Sequence, residues 1–221
     1  MPTISLPHTY TIYDLETATP TGHNDPSTDR ALQVGWVKVV ENKVVEEREL
    51  LVRPSPWVDP GASSRFHGIT ADMLAAQPDD GSPLDECMRA LGDGWVVGWN
   101  ILQYDNGVMQ EEGKRYGTIY QDGLINPACC LDLGILYKAC KMWDTEKWAG
   151  ASRMFENETP LHYQSRISEY RTFGINWNLA QAVLSMEIEV EGVTMHRALA
   201  DCQMIHKVML EFQTTPRELT F

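Results

Sequence analysis

Tyr10-Thr11-Ile12-Tyr13-Asp14-Leu15-Glu16-Thr17 is an apolar, β-branched run that closes on two carboxylates one residue apart. Read as a buried strand, it sends residues i and i+2 to one face, so Asp14 and Glu16 aim at the same spot beside the strand's carboxyl end. Two negative charges at one spot repel each other unless a cation lies between them, and hard divalent cations take carboxylate oxygens. The stretch therefore implies a metal.

Outward from it, Ala18 to Arg30 is a polar loop, and Ala31 to Val40 resumes an apolar strand pattern. Glu41-Asn42-Lys43 turns the chain, and Val44 to Val52 returns as a more charged, more exposed strand, which completes a β-meander. Pro54, Pro56 and Pro60 end it. A loop containing Phe66-His67-Gly68-Ile69-Thr70 then leads to a short helix from Ala71 to Ala76 that Thr70 can cap. Pro83 sits near the start of a helix through Leu91, and Trp95 to Trp99 reads as a short buried strand. Asp105 begins a helix to about Tyr116, and the apolar Ala128 to Asp132 feeds another through Met142. From Lys141 to Phe173 the pattern is irregular, with aromatic residues interleaved with Lys and Arg. Helices over Asn178 to Met186 and Ala198 to Phe212, separated by an acidic loop and His196, close the chain. A meander followed by strand-helix alternation predicts an α/β fold, a mixed sheet flanked by helices.

With 221 residues and no linker-like tract, one domain over 1–221 is expected. No apolar run is long enough to span a bilayer, and Met1 to Pro7 lacks a basic, apolar leader, so a cytoplasmic location and no membrane partner are expected. The five cysteines are odd in number and lack C-x-x-C spacing, which predicts reduced, packed thiols rather than a zinc site or disulfides. A net charge of −13 argues against a protein that grips long nucleic acid by broad phosphate neutralisation. A local groove for a few nucleotides stays compatible with it.

Asp105 falls where a buried strand gives way to its helix, the end of an α/β sheet where sites gather. His196-Arg197-Ala198-Leu199-Ala200-Asp201 places a histidine in the loop and an acid in the first turns of the last helix. Asp14, Glu16, Asp105 and Asp201 form a set able to hold two divalent ions for an in-line phosphoryl displacement. His196, ordinarily titrating near neutrality, suits a general base. Asp132 is explained by helix capping, and His8, His23, His162 and His206 read as ordinary surface or helix residues.

In these motifs the chain resembles the DEDD 3′-to-5′ exonucleases with the ribonuclease H-like fold, in their histidine-bearing (DEDDh) subgroup. The resemblance covers nearly the whole chain. It rests on Asp14-Leu15-Glu16, on Asp29-Arg30-Ala31-Leu32-Gln33-Val34-Gly35 and on Phe66-His67-Gly68-Ile69-Thr70. It continues through Asn100 with Tyr104-Asp105 and through His196 with Asp201. It implies a five-stranded sheet flanked by helices and two ions, Mg²⁺ or Mn²⁺, with Asp14, Glu16 and Asp201 on the first, Asp14 bridging to the second and Asp105 acting mainly through water. His196 would deprotonate the nucleophile. Glu16 and the main chain near Leu15 and Thr17 would meet the terminal 3′-hydroxyl, Leu15, Phe66 and His67 would line the pocket of the terminal nucleotides unless His67 only hydrogen-bonds within its loop, and Asn100 would contact substrate or orient Asp105. The implied activity is release of nucleoside 5′-monophosphates from the 3′ ends of single-stranded nucleic acid, DNA ahead of RNA. Two other readings stay open: a phosphodiesterase of short oligonucleotides and a non-catalytic scaffold of the same fold. The stretch at about 141–173, longer than this connection in compact relatives, is read as an insertion that packs as a flap or stacks unpaired bases.

Overall fold

The computed structural model describes residues 4–117, 125–190 and 196–214. Three strands lead the chain, β1 (Tyr10–Ala18), β2 (Arg30–Val40) and β3 (Lys43–Leu51). They form the expected antiparallel meander, with Asp14 opposite Gly35 and Gly35 opposite Glu49. Two short strands, β4 (Val96–Gly98) and β5 (Cys130–Asp132), run parallel to β1 and to each other, giving the order β3-β2-β1-β4-β5. This is the mixed five-stranded sheet the sequence implied.

Among the described residues, eight α-helices flank it: α1 (Ser64–His67), α2 (Ala71–Ala75), α3 (Ser82–Leu91), α4 (Asp105–Tyr116), α5 (Leu133–Trp143), α6 (Pro160–Glu169), α7 (Leu179–Ser185) and α8 (Ala198–Thr214). Alternation along β1 sorts the core into two layers. Tyr10 and Ile12 pack with Leu136 and Met142 of α5 and with Ile205 and Val208 of α8. Tyr13 and Leu15 turn to the other layer, against Leu84 and Met88 of α3 and Val108 and Met109 of α4. By the same alternation Asp14 and Glu16 fall on the α8 side of the sheet. The buried Arg30–Glu112 pair, 2.7 Å apart, ties β2 to α4.

Two segments depart from the sequence reading. Residues 64–67, expected as loop, form the single turn α1, which the left-handed Gly68 ends. The stretch 141–173, expected to be irregular, contains α6. Thr159 accepts the His162 N–H and Pro160 opens the helix, a cap-plus-proline signal that the aromatic and basic interleaving obscured. The acidic loop ahead of His196 lies in part (191–195) outside the described residues. All five cysteines are free thiols, and among the described residues no helix is long and apolar enough to cross a membrane.

Helix α8 has no Ser, Thr, Asp or Asn at its start to satisfy its first N–H groups, so the sheet supplies the acceptors. Gln33 Oε1 of β2 accepts from Ala198 N at 3.2 Å, and Glu49 Oε1 of β3 accepts from Leu199 N at 3.4 Å. The main chain of α8 can come this close only over a residue without a side chain. A Cβ at Gly35 would lie 2.4 Å from Leu199 N and 2.5 Å from Ala198 C, both main-chain atoms that cannot step aside alone. Gly35→Ala should therefore lift the start of α8 off the sheet and cost about 1–3 kcal/mol of stability, measured by urea unfolding. The same variant should lose the rise in Tm that divalent cations give the parent protein, because Asp201 rides on that turn.

Candidate active site

Asp14 and Glu16 of β1 meet Asp201 from the first turn of α8, with one carboxylate oxygen of each within 4.8 Å of the others. Asp105, the first residue of α4, lies beside them rather than among them. It is 4% exposed, and its Oδ1 accepts the Leu15 N–H at 3.3 Å, a bond that pins β1 to the start of α4.

Burial raises all four carboxyls, and repulsion from neighbouring acids of the cluster adds to the rise at Asp14 and Glu16. Asp14 is held well above the ordinary carboxylate range, by burial first and then by Asp105, Asp201 and Glu16. Glu16 is pushed up to about 8 by burial, with Asp201 and Asp105 adding to the rise and Arg197 opposing it. Burial takes Asp105 to about 7 and Asp201 to about 6, the latter restrained by the ring and main-chain N–H of His196. Asp201 Oδ1 is also buried without a hydrogen-bond partner. Three converging carboxylates, one orphaned oxygen and uncompensated repulsion fit a hard divalent cation, for which Asp14, Glu16 and Asp201 are the donors at hand.

His196 stands at the rim, exposed, with backbone φ of 64°, and its ring meets Phe66 edge-on at 6.2 Å between centroids. Phe66 is itself 68% exposed. The adjacent Arg197 donates to Glu49 Oε2 at 2.5 Å, fixing the loop that carries the histidine against β3.

Three residues expected to meet the substrate have side chains engaged with the protein itself. Leu15 is 7% exposed and belongs to the core layer opposite the acids, as period two along β1 requires. The hydroxyl of Thr17 is paired with Tyr104 Oη at 2.9 Å, and Tyr104 in turn donates to the buried Asp29 at 2.5 Å. His67 is buried with both ring nitrogens engaged. Nδ1 accepts from Ile69 N at 3.0 Å, which leaves Nε2 to donate to Ser63 Oγ at 3.1 Å, and burial lowers its pKa so that the ring stays neutral. These side chains brace the site, and the Leu15 N–H is given to Asp105.

Asn100 has the left-handed φ of 63°, just past β4. Its N–H and that of Leu102 donate to the two oxygens of Asp132, at 2.9 and 3.2 Å, while Asp132 Oδ1 also caps α5 by accepting from Ile135 N. Asp132 thus does the capping read from the sequence and, in addition, shapes the loop that delivers Asp105. Sequence reasoning missed this second task, as it missed Gln33, Glu49 and the Asp29–Tyr104–Thr17 chain. Their only sequence signal is a polar side chain inside an apolar strand or at a strand end.

A family model described as "Exonuclease" (RNase_T) matches residues 11–209. Over 92 residues the chain is 33% identical to a PolC-type DNA polymerase III of Thermotoga maritima, a match covering 42% of this chain and 6% of that polymerase. Among solved structures, E. coli exonuclease I in complex with a dA16 oligonucleotide is similar with a TM-score of 0.67 at 16% identity, over 97% of this chain and 42% of that one. Exonuclease X in complex with 5′ overhanging duplex DNA is similar with a TM-score of 0.58 at 18% identity, over 93% and 92%. These structures share the fold. The chain spans only a small part of the polymerases and under half of exonuclease I.

A carboxyl whose pKa is raised by folding contributes most stability below its unfolded pKa and loses it as the pH rises through the folded value. For the cation-free protein that loss falls as the pH passes through about 6, 7 and 8, set by Asp201, Asp105 and Glu16. Thermal unfolding in a chelator should show Tm falling across this window. Millimolar Mg²⁺ or Mn²⁺ should restore it, and Asp14→Asn should both flatten the fall and abolish the restoration.

Proposed function

The chain belongs to the exonuclease family, and on that premise we propose that it removes nucleotides from the 3′ ends of single-stranded nucleic acid, DNA ahead of RNA, releasing nucleoside 5′-monophosphates. The observation that carries this reading is the convergence of Asp14, Glu16 and Asp201 within 4.8 Å, flanked by Asp105 and by an exposed histidine. The oligonucleotide and overhang complexes of the similar exonuclease structures favour DNA as the first substrate to test.

Asp14, Glu16 and Asp201 would hold divalent cations, Mg²⁺ or Mn²⁺ and two in number, with Asp105 assisting from the start of α4. Bound there, such ions would offset the charge of the phosphodiester and make water a better nucleophile. His196, on the solvent side, takes the proton of the attacking water and gives it up to bulk water. As the new P–O bond forms, the bond to the 3′ oxygen of the penultimate nucleotide breaks and that oxygen takes a proton from bulk water, leaving a 3′-hydroxyl on the strand and a 5′-phosphate on the product. Phe66, exposed beside His196, supplies an apolar face for the terminal base, and Asn100 meets the strand or sets the loop to Asp105. Leu15, Thr17 and His67 serve by holding this frame.

With matched 5′-labelled single-stranded DNA and RNA, the expected result is a ladder shortening from the 3′ end, faster on DNA and absent for Asp14→Ala. His196→Ala should lower kcat by about 10²–10⁴-fold while keeping the cation-induced rise in Tm. Cleavage of neither strand by a protein whose Tm ignores cations would overturn the enzymatic reading, and equal or faster RNA cleavage would overturn the preference for DNA.

A further inference from the structure

A second cleft opens beside the site already described. It has a volume of about 310 Å³ and is lined by Trp99, Asn100, Ile175, Asn176, Trp177 and Asn178. Trp99 and Asn100 directly follow β4, whose Gly98 lies against the Tyr13 carbonyl of β1, so the cleft sits at the same carboxyl edge of the sheet as Asp14. It is also on the same face, because Trp99, Ile175 and Trp177 pack against the core layer that includes Ile12 and α8.

Its walls are aromatic and held in place. Trp99 packs against Tyr137 at 5.9 Å and over Gly134, where a Cβ would lie 2.9 Å from the indole nitrogen. The Lys138 ammonium stands 5.2 Å from the centroid of Trp177 and is anchored by the Ser168 and Tyr170 carbonyls at 3.1 and 2.7 Å. Rings fixed in this way lose little freedom when a flat ligand stacks on them. The polar groups are complementary in kind. The side-chain carbonyls of Asn176 and Asn178 are used within the loop, on Asn178 N and Gln181 N, which leaves their NH₂ groups as donors. Asn100 carries a side-chain carbonyl with no partner. A heteroaromatic ring with acceptors and donors along its edge matches this set, whereas an aliphatic or strongly anionic ligand does not. Phe173, 89% exposed, continues the aromatic surface along the chain.

We propose that this cleft is a nucleobase subsite, which stacks an unpaired base of the bound strand on Trp177 and reads its edge with Asn176 and Asn178. The inference rests on the exonuclease reading and extends it, since a base held here keeps the strand on the protein after its last nucleotide has gone. It also gives an acidic protein a hold on the strand that needs no phosphate neutralisation.

Two variants test it, Trp177→Leu and, on the exposed rim where the only further bond lost is the one from Asn178 N, Asn176→Ala. In an Asp14→Asn background, each should weaken binding of a fluorescent oligothymidylate about five- to tenfold. In the active protein each should raise KM for the strand relative to KM for the p-nitrophenyl ester of thymidine 5′-monophosphate, which has no second base. Unchanged strand affinity in Asn176→Ala, or equal losses on strand and ester, would overturn the subsite while the parent's activity upheld the exonuclease. A parent protein that neither binds the strand nor cleaves the ester would remove both readings together.

Discussion

A missing side chain is the constraint on which the acidic site depends. At Gly35 the first turn of α8 lies so near β2 that even a methyl group would collide with its main chain. That contact brings Asp201 over Asp14, the residue paired with Gly35 in the sheet. Because α8 lacks a cap of its own and takes its acceptors from Gln33 and Glu49, the turn is complete only when docked. Helix, sheet and carboxylate cluster therefore form together, and the cluster is a tertiary object although each acid sits on a local motif.

Around it the protein spends polar side chains on geometry. Asp132 shapes the Asn100 loop, Tyr104 links Thr17 to Asp29, and Arg30 with Glu112 locks β2 to α4. A buried pair such as Arg30–Glu112 gives little net stability in itself, but losing either partner strands a charge, so the pair enforces the arrangement strongly. The four raised carboxyls work the other way. They are held close against their own repulsion, and the frame of hydrogen bonds is what keeps them from moving apart.

Much of this was legible in the chain. The alternation in Tyr10–Thr17 fixed both the strand and the face of the acids, and the turn after Val40, the Thr70 cap and the strand-helix alternation after Trp95 gave the meander and the mixed sheet. The order of the acids and His196 identified the family that the comparison over residues 11–209 shows. What stayed hidden was partnership across the sequence. Period two already placed Leu15 away from Asp14, but family resemblance drew it toward the substrate, and the structure follows the alternation. His67, which in sequence reads equally as a substrate contact or as a loop brace, bonds within four residues of itself, to Ser63 and Ile69. Helix α6 was masked by composition, since aromatic and basic residues at irregular intervals outweighed a clear Thr-Pro start.

Two residues of the candidate site, Asn100 and His196, occupy left-handed backbone, a region natural to glycine and still costly, though less so for asparagine and histidine than for most side chains. Holding His196 there draws on the energy of the surrounding contacts, among them the Arg197–Glu49 pair that follows it. A glycine at 196 would relax the main chain by roughly 1 kcal/mol while removing the exposed imidazole. Robustness and the proton transfer proposed for His196 are thus set against each other at this position.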